Sequence, residues 1–389
     1  MTSDSKLRCG DLVQVRTKEE ILRTLDRNGQ LEKLPFMPEM FEFCGKQFRV
    51  FKRAHKTCDP PNGVGGRRMA RAVHLEGTRC SGDAHGGCQA GCLLFWKEEW
   101  LTKIENPSPP LPGLSHVAVD RVPDRPGDGC TEREVIAGTR SSPVDASEPI
   151  YVCQSTQVEK ATTPLAWWDV RQYIEDYRSG NVRLSQLLAA FLFTLYAKVA
   201  SAGIGFGAAL RWLYDRVQTM RGATPFPLRV GAIARGRKTP AAKLDLEPGE
   251  LVKVRGYRAI LATLNEDSYN RGMYFDPEMV EFCGGTYRVL DRIRQIINEK
   301  TGQMMQMKND CIILDGVVCR ACYAKNRRFC PRSIYPYWRE IWLERASADE
   351  ARVANSTRTP RGRLWSKRPL VIDGCSRNAR DSETLLHRR

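Results

Sequence analysis

Ten of the 14 cysteines fall in two stretches of chain that repeat one another. The first stretch supplies Cys44, Cys58, Cys80, Cys88 and Cys92, the second Cys283, Cys311, Cys319, Cys322 and Cys330. Thiolates are soft ligands, and four of them satisfy tetrahedral zinc without any other group. Cys80, Cys88 and Cys92 are separated by seven and three residues, and Cys319, Cys322 and Cys330 by two and seven. Such spacings put several sulfurs on one loop. An earlier hairpin would add the last ligand, Cys44 or Cys58 in the first stretch and Cys283 or Cys311 in the second. Gly45 and Gly284 follow two of these cysteines and let the backbone turn tightly beside a ligand. His85 is a further donor. The expected cofactor is zinc, one ion per stretch, and an iron–sulfur cluster is the alternative that four thiolates also suit. A formed site brings the sulfurs of Cys80, Cys88, Cys92 and either Cys44 or Cys58 to ~3.5–4 Å of one another. The competing reading is small cysteines buried in a core.

The repeat itself is long. Pro38-Glu39-Met40-Phe41-Glu42-Phe43-Cys44-Gly45 returns as Pro277-Glu278-Met279-Val280-Glu281-Phe282-Cys283-Gly284, an offset of 239 positions (277 less 38). The same offset carries Gly10 to Gly249, Val50 to Val289, Leu75 to Leu314 and Cys80 to Cys319. Beyond Cys80 it becomes 242, carrying Cys88 to Cys330, Trp96 to Trp338, Glu98 to Glu340 and Trp100 to Trp342. Cys44, Cys80 and Cys88 thus have equivalents, whereas Cys58, Cys92, Cys311 and Cys322 do not. The change of offset marks a loop. Internal duplication of this kind is the mark of a repeated structural unit. Glu39/Glu278, Glu42/Glu281 and Glu98/Glu340 also recur. Paired carboxylates can do acid–base work, but the repeated Arg49/Arg288 and Arg53/Arg292 offer them simpler ion-pair partners.

Several elements must position these residues. Leu12, Val13 and Val15 read as an opening strand. Thr17 with Glu20 forms a capping-box pattern, Ile21, Leu22 and Leu25 give the short helix an apolar face, and Asn28-Gly29 ends it. Phe48, Val50 and Phe51 predict a strand, as do Val73 and Leu75. Trp96 to Trp100 reads as a closing helix with both tryptophans on one face. Thr163-Pro164 is an N-cap pair for a helix whose apolar positions are Trp167, Val170, Ile174 and Tyr177. A second helix runs from Arg183 to about Ala200, apolar on more than one side. The run 184–210 raises the question of a membrane. Gly203, Gly205 and Gly207 interrupt it, which favours a buried core over a span and leaves peripheral membrane contact open.

The chain has 389 residues, 42% of them hydrophobic, and a formal net charge of +16. That size predicts two or three domains. The first residues are polar and charged, so no secretory leader is read. Abundant cysteine without a leader predicts reduced thiols or bound metal in a cytoplasmic protein. The positive charge favours an anionic partner such as nucleic acid. Arg67, Arg68, Arg71, Arg327 and Arg328 are the candidate anion-binding residues. Part of the excess lies in residues 346–389, with ten Arg and Lys against five Asp and Glu, a tail expected to be disordered. No Walker loop, GxGxxG, HExxH or GxSxG is present. Cys153, just before a helix, is a weak candidate nucleophile.

The stretches from His55-Lys56-Thr57-Cys58-Asp59 to Trp100, and from Cys311-Ile312-Ile313-Leu314-Asp315-Gly316 to Leu343, resemble those of uncharacterised bacterial proteins with a duplicated cysteine module. The resemblance implies no activity. The opening Gly-Asp-Leu-Val is similar to the first strand of SH3-like barrels. The fold expected is therefore α+β and multidomain, with two homologous, small, strand-rich, SH3-like cysteine modules at 10–103 and 248–345. They flank a helical segment at 151–222, and residues 104–150 are a linker expected to be disordered. The function expected is a non-enzymatic binding or scaffold role, with structural metal in each module. The alternatives are an enzyme or accessory protein of a modification pathway, with its site between the modules, and a nucleic-acid-binding protein.

Overall fold

The computed structural model describes residues 6–59, 65–104, 129–141, 148–202, 205–323 and 325–347. The chain is α+β, with several sheets whose named strands all pair antiparallel.

The first module opens with β1 (Leu12–Val15), which alternates as a half-buried strand should: Val13 and Val15 are buried and Gln14 is exposed. α1 (Lys18–Leu22) starts at Thr17 as expected. The Glu20 N–H donates to the Thr17 hydroxyl and the Thr17 N–H donates to the Glu20 carboxylate. β2 (Gln30–Leu31), β3 (Leu34–Pro35) and a 3-10 turn at Pro38–Phe43 lead into β4 (Gln47–Arg53). β5 (Lys56–Cys58), β6 (Gly66–Arg68), β7 (Ala72–Leu75), β8 (Trp96–Lys97) and β9 (Leu101–Lys103) follow, and the main sheet has the order β8-β7-β4-β1-β9. Trp96 and Trp100 do not share a closing helix. Trp96 lies on β8 and Trp100 on a 3-10 turn at Glu98–Trp100. Their indole N–H groups donate to the Thr78 and Thr24 hydroxyls, both at 3.0 Å, and Phe36 packs edge-on against both rings. Two fully buried indoles with satisfied N–H groups outweigh the local helical spacing.

Part of the expected linker is folded. Residues 105–128 and 142–147 lie outside the described residues, but α2 (Glu132–Ala137) is capped by Thr131 with Glu134. Cys130 and Val135 belong to the first module's core, and Lys18 pairs with Glu132. Next come α3 (Gln154–Gln157), β10 (Thr163–Leu165), α4 (Arg171–Arg178), α5 (Leu184–Ala200) and α6 (Gly207–Met220). Thr163-Pro164 begins no helix. β10 pairs with β6 in a sheet ordered β10-β6-β5, and its edge position tolerates a proline. α4 inverts the expected pattern: Val170, Ile174 and Tyr177 are exposed, and the buried residues of the helix are Gln172 and Asp176. α5 matches its expected bounds. No helix among the described residues is long and apolar enough to cross a membrane.

The second module repeats the first. β11 (Leu251–Val254), α7 (Tyr257–Leu261), β12 (Tyr269–Asn270), β13 (Met273–Tyr274) and a 3-10 turn at Pro277–Phe282 precede the long β14 (Thr286–Ile297) and β15 (Met304–Leu314). A 3-10 turn at Glu340–Trp342 leads to β16 (Leu343–Arg345). The order β15-β14-β11-β16 reproduces β7-β4-β1-β9. The likeness extends to single bonds. Trp342 donates to Thr263 at 3.0 Å as Trp100 does to Thr24, and Arg292 pairs with Glu340 at 2.8 Å as Arg53 does with Glu98 at 2.5 Å. The repeated Glu98 and Glu340 are thus ion-pair partners inside the modules. Of the expected tail, residues 348–389 lie outside the described residues.

Candidate metal centres at the module interface

The cysteine loops that follow β7 and β15 are built alike. The Cys80 N–H donates to the Cys92 carbonyl at 2.9 Å, and the Cys319 N–H donates to the Ile334 carbonyl at 2.8 Å. Each loop is anchored by the glutamate of the preceding 3-10 turn. Glu39 accepts from the Ala84 N–H at 3.1 Å, and Glu278 accepts from the equivalent Tyr323 N–H at 2.6 Å and from Cys322 N–H at 2.7 Å. Loop anchoring accounts for the recurrence of this acid without acid–base chemistry.

Each loop then reaches the other module. The Ile297 N–H, at the end of β14, donates to Cys88 Sγ at 3.3 Å. The Cys58 N–H, at the end of β5, donates to Cys330 Sγ at 3.1 Å. Ile297 is the equivalent of Cys58, and Cys330 that of Cys88, so the two contacts are one contact made twice in opposite senses. Gln89 extends the first: its side-chain carbonyl accepts from Arg294 N–H at 2.7 Å, and its amide donates to the Arg292 carbonyl at 3.1 Å.

Two groups of thiols result. In the first, Cys80, Cys88, Cys92 and Cys153 line one cavity of about 30 Å³, together with His85, Ile297 and Glu299. That is room for an ion or a water molecule. In the second, Cys58, Cys319 and Cys330 cluster with Ala321 and Ile334, while the thiol of Cys322, next in the same loop, donates to the Arg320 carbonyl at 3.7 Å. Burial pushes Cys80, Cys92, Cys319 and Cys322 above the ordinary thiol range, and Cys153 up to about 12. That burial opposes the activation expected of Cys153 as a nucleophile. Cys330 differs. Burial disfavours its thiolate, yet a hydrogen bond from the Cys58 thiol, another from the Arg332 backbone and the Arg332 charge bring it down to about 7. Cys58, donating to it, is pushed well up.

The expected convergence of Cys80, Cys88 and Cys92 with Cys44 or Cys58 is not found. Among the described residues, no three sulfurs lie within 4.8 Å of one another; the group that meets this limit is Glu39, Cys80 and His85. In that trio the His85 nitrogens are already engaged, Nδ1 with Glu39 at 2.8 Å and Nε2 with the Val152 carbonyl at 3.1 Å. Cys44 and Cys283 stay apart from both thiol groups. Each thiol turns back to its own 3-10 turn, at the Met40 and Met279 carbonyls, and burial raises them to about 11 and about 12. Cys311 is held by Arg339, whose guanidinium donates to its sulfur at 3.2 Å. Cys58 leaves its own module's set for that of the second. Cys153 joins the first set from outside the repeat, so comparing the two copies could not have found it. The signal for Cys58 was its equivalent, Ile297, which cannot ligate.

The five candidate anion-binding arginines are committed elsewhere. Arg67 donates to Thr162 and to the Glu159 carbonyl, Arg68 pairs with Asp169 and Glu175, and Arg71 with Glu32 and Glu99. Arg327 pairs with Asp276, and the buried Arg328 donates to the Ala190 carbonyl.

No protein-family model matches the chain, and comparisons with curated proteins and with solved structures return no match.

Proposed function

We propose that the chain is a non-enzymatic binding or scaffold protein whose two modules are stapled by structural zinc. One ion is held by Cys80, Cys88, Cys92 and Cys153, the other by Cys58, Cys319, Cys322 and Cys330. The observation that carries this reading is the reciprocal contact across the interface, Cys58 N–H to Cys330 Sγ and Ile297 N–H to Cys88 Sγ. Backbone N–H groups aimed at sulfur favour the thiolate, the ligand form of cysteine. Thiols that are buried or half-buried and gathered in two places suit an ion that draws each set together, since metal binding commonly completes a site that is not preformed. An iron–sulfur cluster is the alternative occupant.

Each module is read as an SH3-like barrel, making the protein multidomain. In support, β1 pairs with both β4 and β9, and a 3-10 turn directly precedes β9; β11, β14 and β16 repeat this. Twelve free thiols among the described cysteines suit a reducing compartment, and the cytoplasm is the proposed location.

Metal analysis of protein purified without chelator tests the proposal. About two zinc ions per chain are expected, and Cys330→Ser and Cys88→Ser should each remove one. Metal-free, folded wild-type protein would leave these cysteines as packing residues, and a visible charge-transfer spectrum with bound iron would replace zinc by a cluster.

A further inference from the structure

The helices between the modules carry apolar side chains that nothing among the described residues covers. On α5, Leu184, Leu188, Leu192, Leu195 and Val199 recur at spacings of three and four and are all exposed, Leu192 to 67%. The opposite face of α5 is the one that packs, through Leu187, Ala190, Ala197 and Ala200. The stripe is therefore a second apolar face on a helix that is already docked. Phe206 and Trp212 add exposed aromatics at and on α6, at 70% and 66%. A soluble monomer rarely leaves a stripe of five large apolar side chains uncovered.

The charges around it identify what covers it. All four acids between residues 167 and 221 are paired: Asp169 with Arg68 and Arg171, Glu175 with Arg53, Asp176 with Lys56, and Asp215 with Arg229. Most of the cations in this stretch are not. Arg178, Arg183, Lys198, Arg216 and Arg221 are exposed, and none has an acidic partner among the described residues. An apolar stripe with aromatic residues and a one-signed positive rim is complementary to an anionic lipid surface. No helix among the described residues is long and apolar enough to cross, so such a surface would be met from one side.

We propose that α5 and α6 form a monotopic docking face for a bilayer containing anionic lipid. The α5 stripe enters the headgroup–acyl boundary, and the surrounding cations meet the lipid phosphates. The inference is independent of metal in the thiol groups.

Flotation of the full chain with vesicles tests it. The protein should float with phosphatidylcholine vesicles that contain phosphatidylglycerol and far less with phosphatidylcholine alone, and added salt should weaken binding. Each cation removed should lower partitioning roughly fivefold, so the triple variant Arg178→Gln/Arg183→Gln/Lys198→Gln loses the preference for anionic vesicles. The double variant Leu192→Glu/Leu195→Glu should lose flotation with an unchanged thermal transition, because both positions are exposed. Absence of flotation with either vesicle overturns the proposal. So does unchanged flotation of the double variant, or self-association in sizing that this variant abolishes while the wild type ignores vesicles, which would assign the face to a second copy.

Discussion

His74 shows how one residue can differ between copies while its site does not. It sits opposite Lys52 in the β4–β7 ladder, where the second module places Ile313 opposite Asp291. Both positions are buried, and His74 is fully enclosed with its Nε2 unpartnered. Burial pushes it from 6.5 down to about 3. The folded protein therefore stays neutral at this site while the unfolded chain takes up a proton below pH 6.5. The unfolded state then binds more protons, so stability falls as pH falls between those two values, by ~1.4 kcal/mol per pH unit. His74→Ile, the second module's own residue, should flatten this loss, at a pH-independent cost of about 1–3 kcal/mol for the buried hydrogen bond between Nδ1 and the Leu94 carbonyl. Denaturant unfolding of both proteins on either side of pH 6.5 measures it, and equal acid sensitivity in the two would refute the assignment. The recurrent glutamates teach a related lesson. Glu39 and Glu278 recur because each holds a loop's backbone N–H, a duty no alignment of the two copies distinguishes from catalysis.

At the scale of elements, α4 is the instructive case. Its spacing reads as an apolar stripe seeking a core, yet the helix docks through its polar side. Lys56 Nζ lies 2.5 Å from Asp176 Oδ2, His55 Nε2 lies 3.3 Å from Oδ1, and the Gln172 carbonyl faces His55 at 3.3 Å. Asn181 closes the contact by bonding the Arg53 backbone at both its N–H and its carbonyl, each at 2.8 Å. The buried Lys56 ammonium demands a carboxylate, and Asp176 is fully buried to provide it. Asp176→Ala should destabilise the protein by ~3–5 kcal/mol because it strands the buried Lys56 charge. Ile174→Ala, on the exposed face, should stay within about 0.5 kcal/mol. Thermal unfolding of the two variants ranks them, and the reverse order would mean that the apolar face is the docked one.

Over the whole molecule, the two modules are joined by exchange rather than by simple abutment. Each lays a cysteine loop against the strand end of the other, and Gln89 holds the β14 backbone at Arg294 and Gln295 much as a neighbouring strand would. An interface of this kind couples the modules through a few directed bonds. Gln89→Ala should speed hydrogen exchange at the Arg294 and Gln295 amides, which lose their acceptor, and leave Val289 protected, because its N–H bonds the Glu250 carbonyl at 2.8 Å within the module. Unchanged exchange at Arg294 would show that the interface does not depend on this side chain.

Much of this architecture was legible in the amino-acid order. The offset of 239 located both modules, the α1 capping box and the strands at β1, β4 and β7 followed from local chemistry, and α5 lay within its apolar run. These features depend on neighbours a few residues apart, where spacing and geometry are nearly the same thing. What only the tertiary structure decided is which residues meet across long separations. Cys58 and Cys330 are 272 positions apart and touch because a loop of one module crosses to the other. Cys153 joins three thiols of the first module from outside the repeat, and Cys44 and Cys283, equivalent and correctly paired in sequence, stay at home. The apolar stripe of α4 faces outward because the buried Lys56, nearly 120 residues earlier in the chain, claims the helix's polar side. Local periodicity records which faces a helix has. Which of them is buried depends on what the rest of the chain brings to meet it.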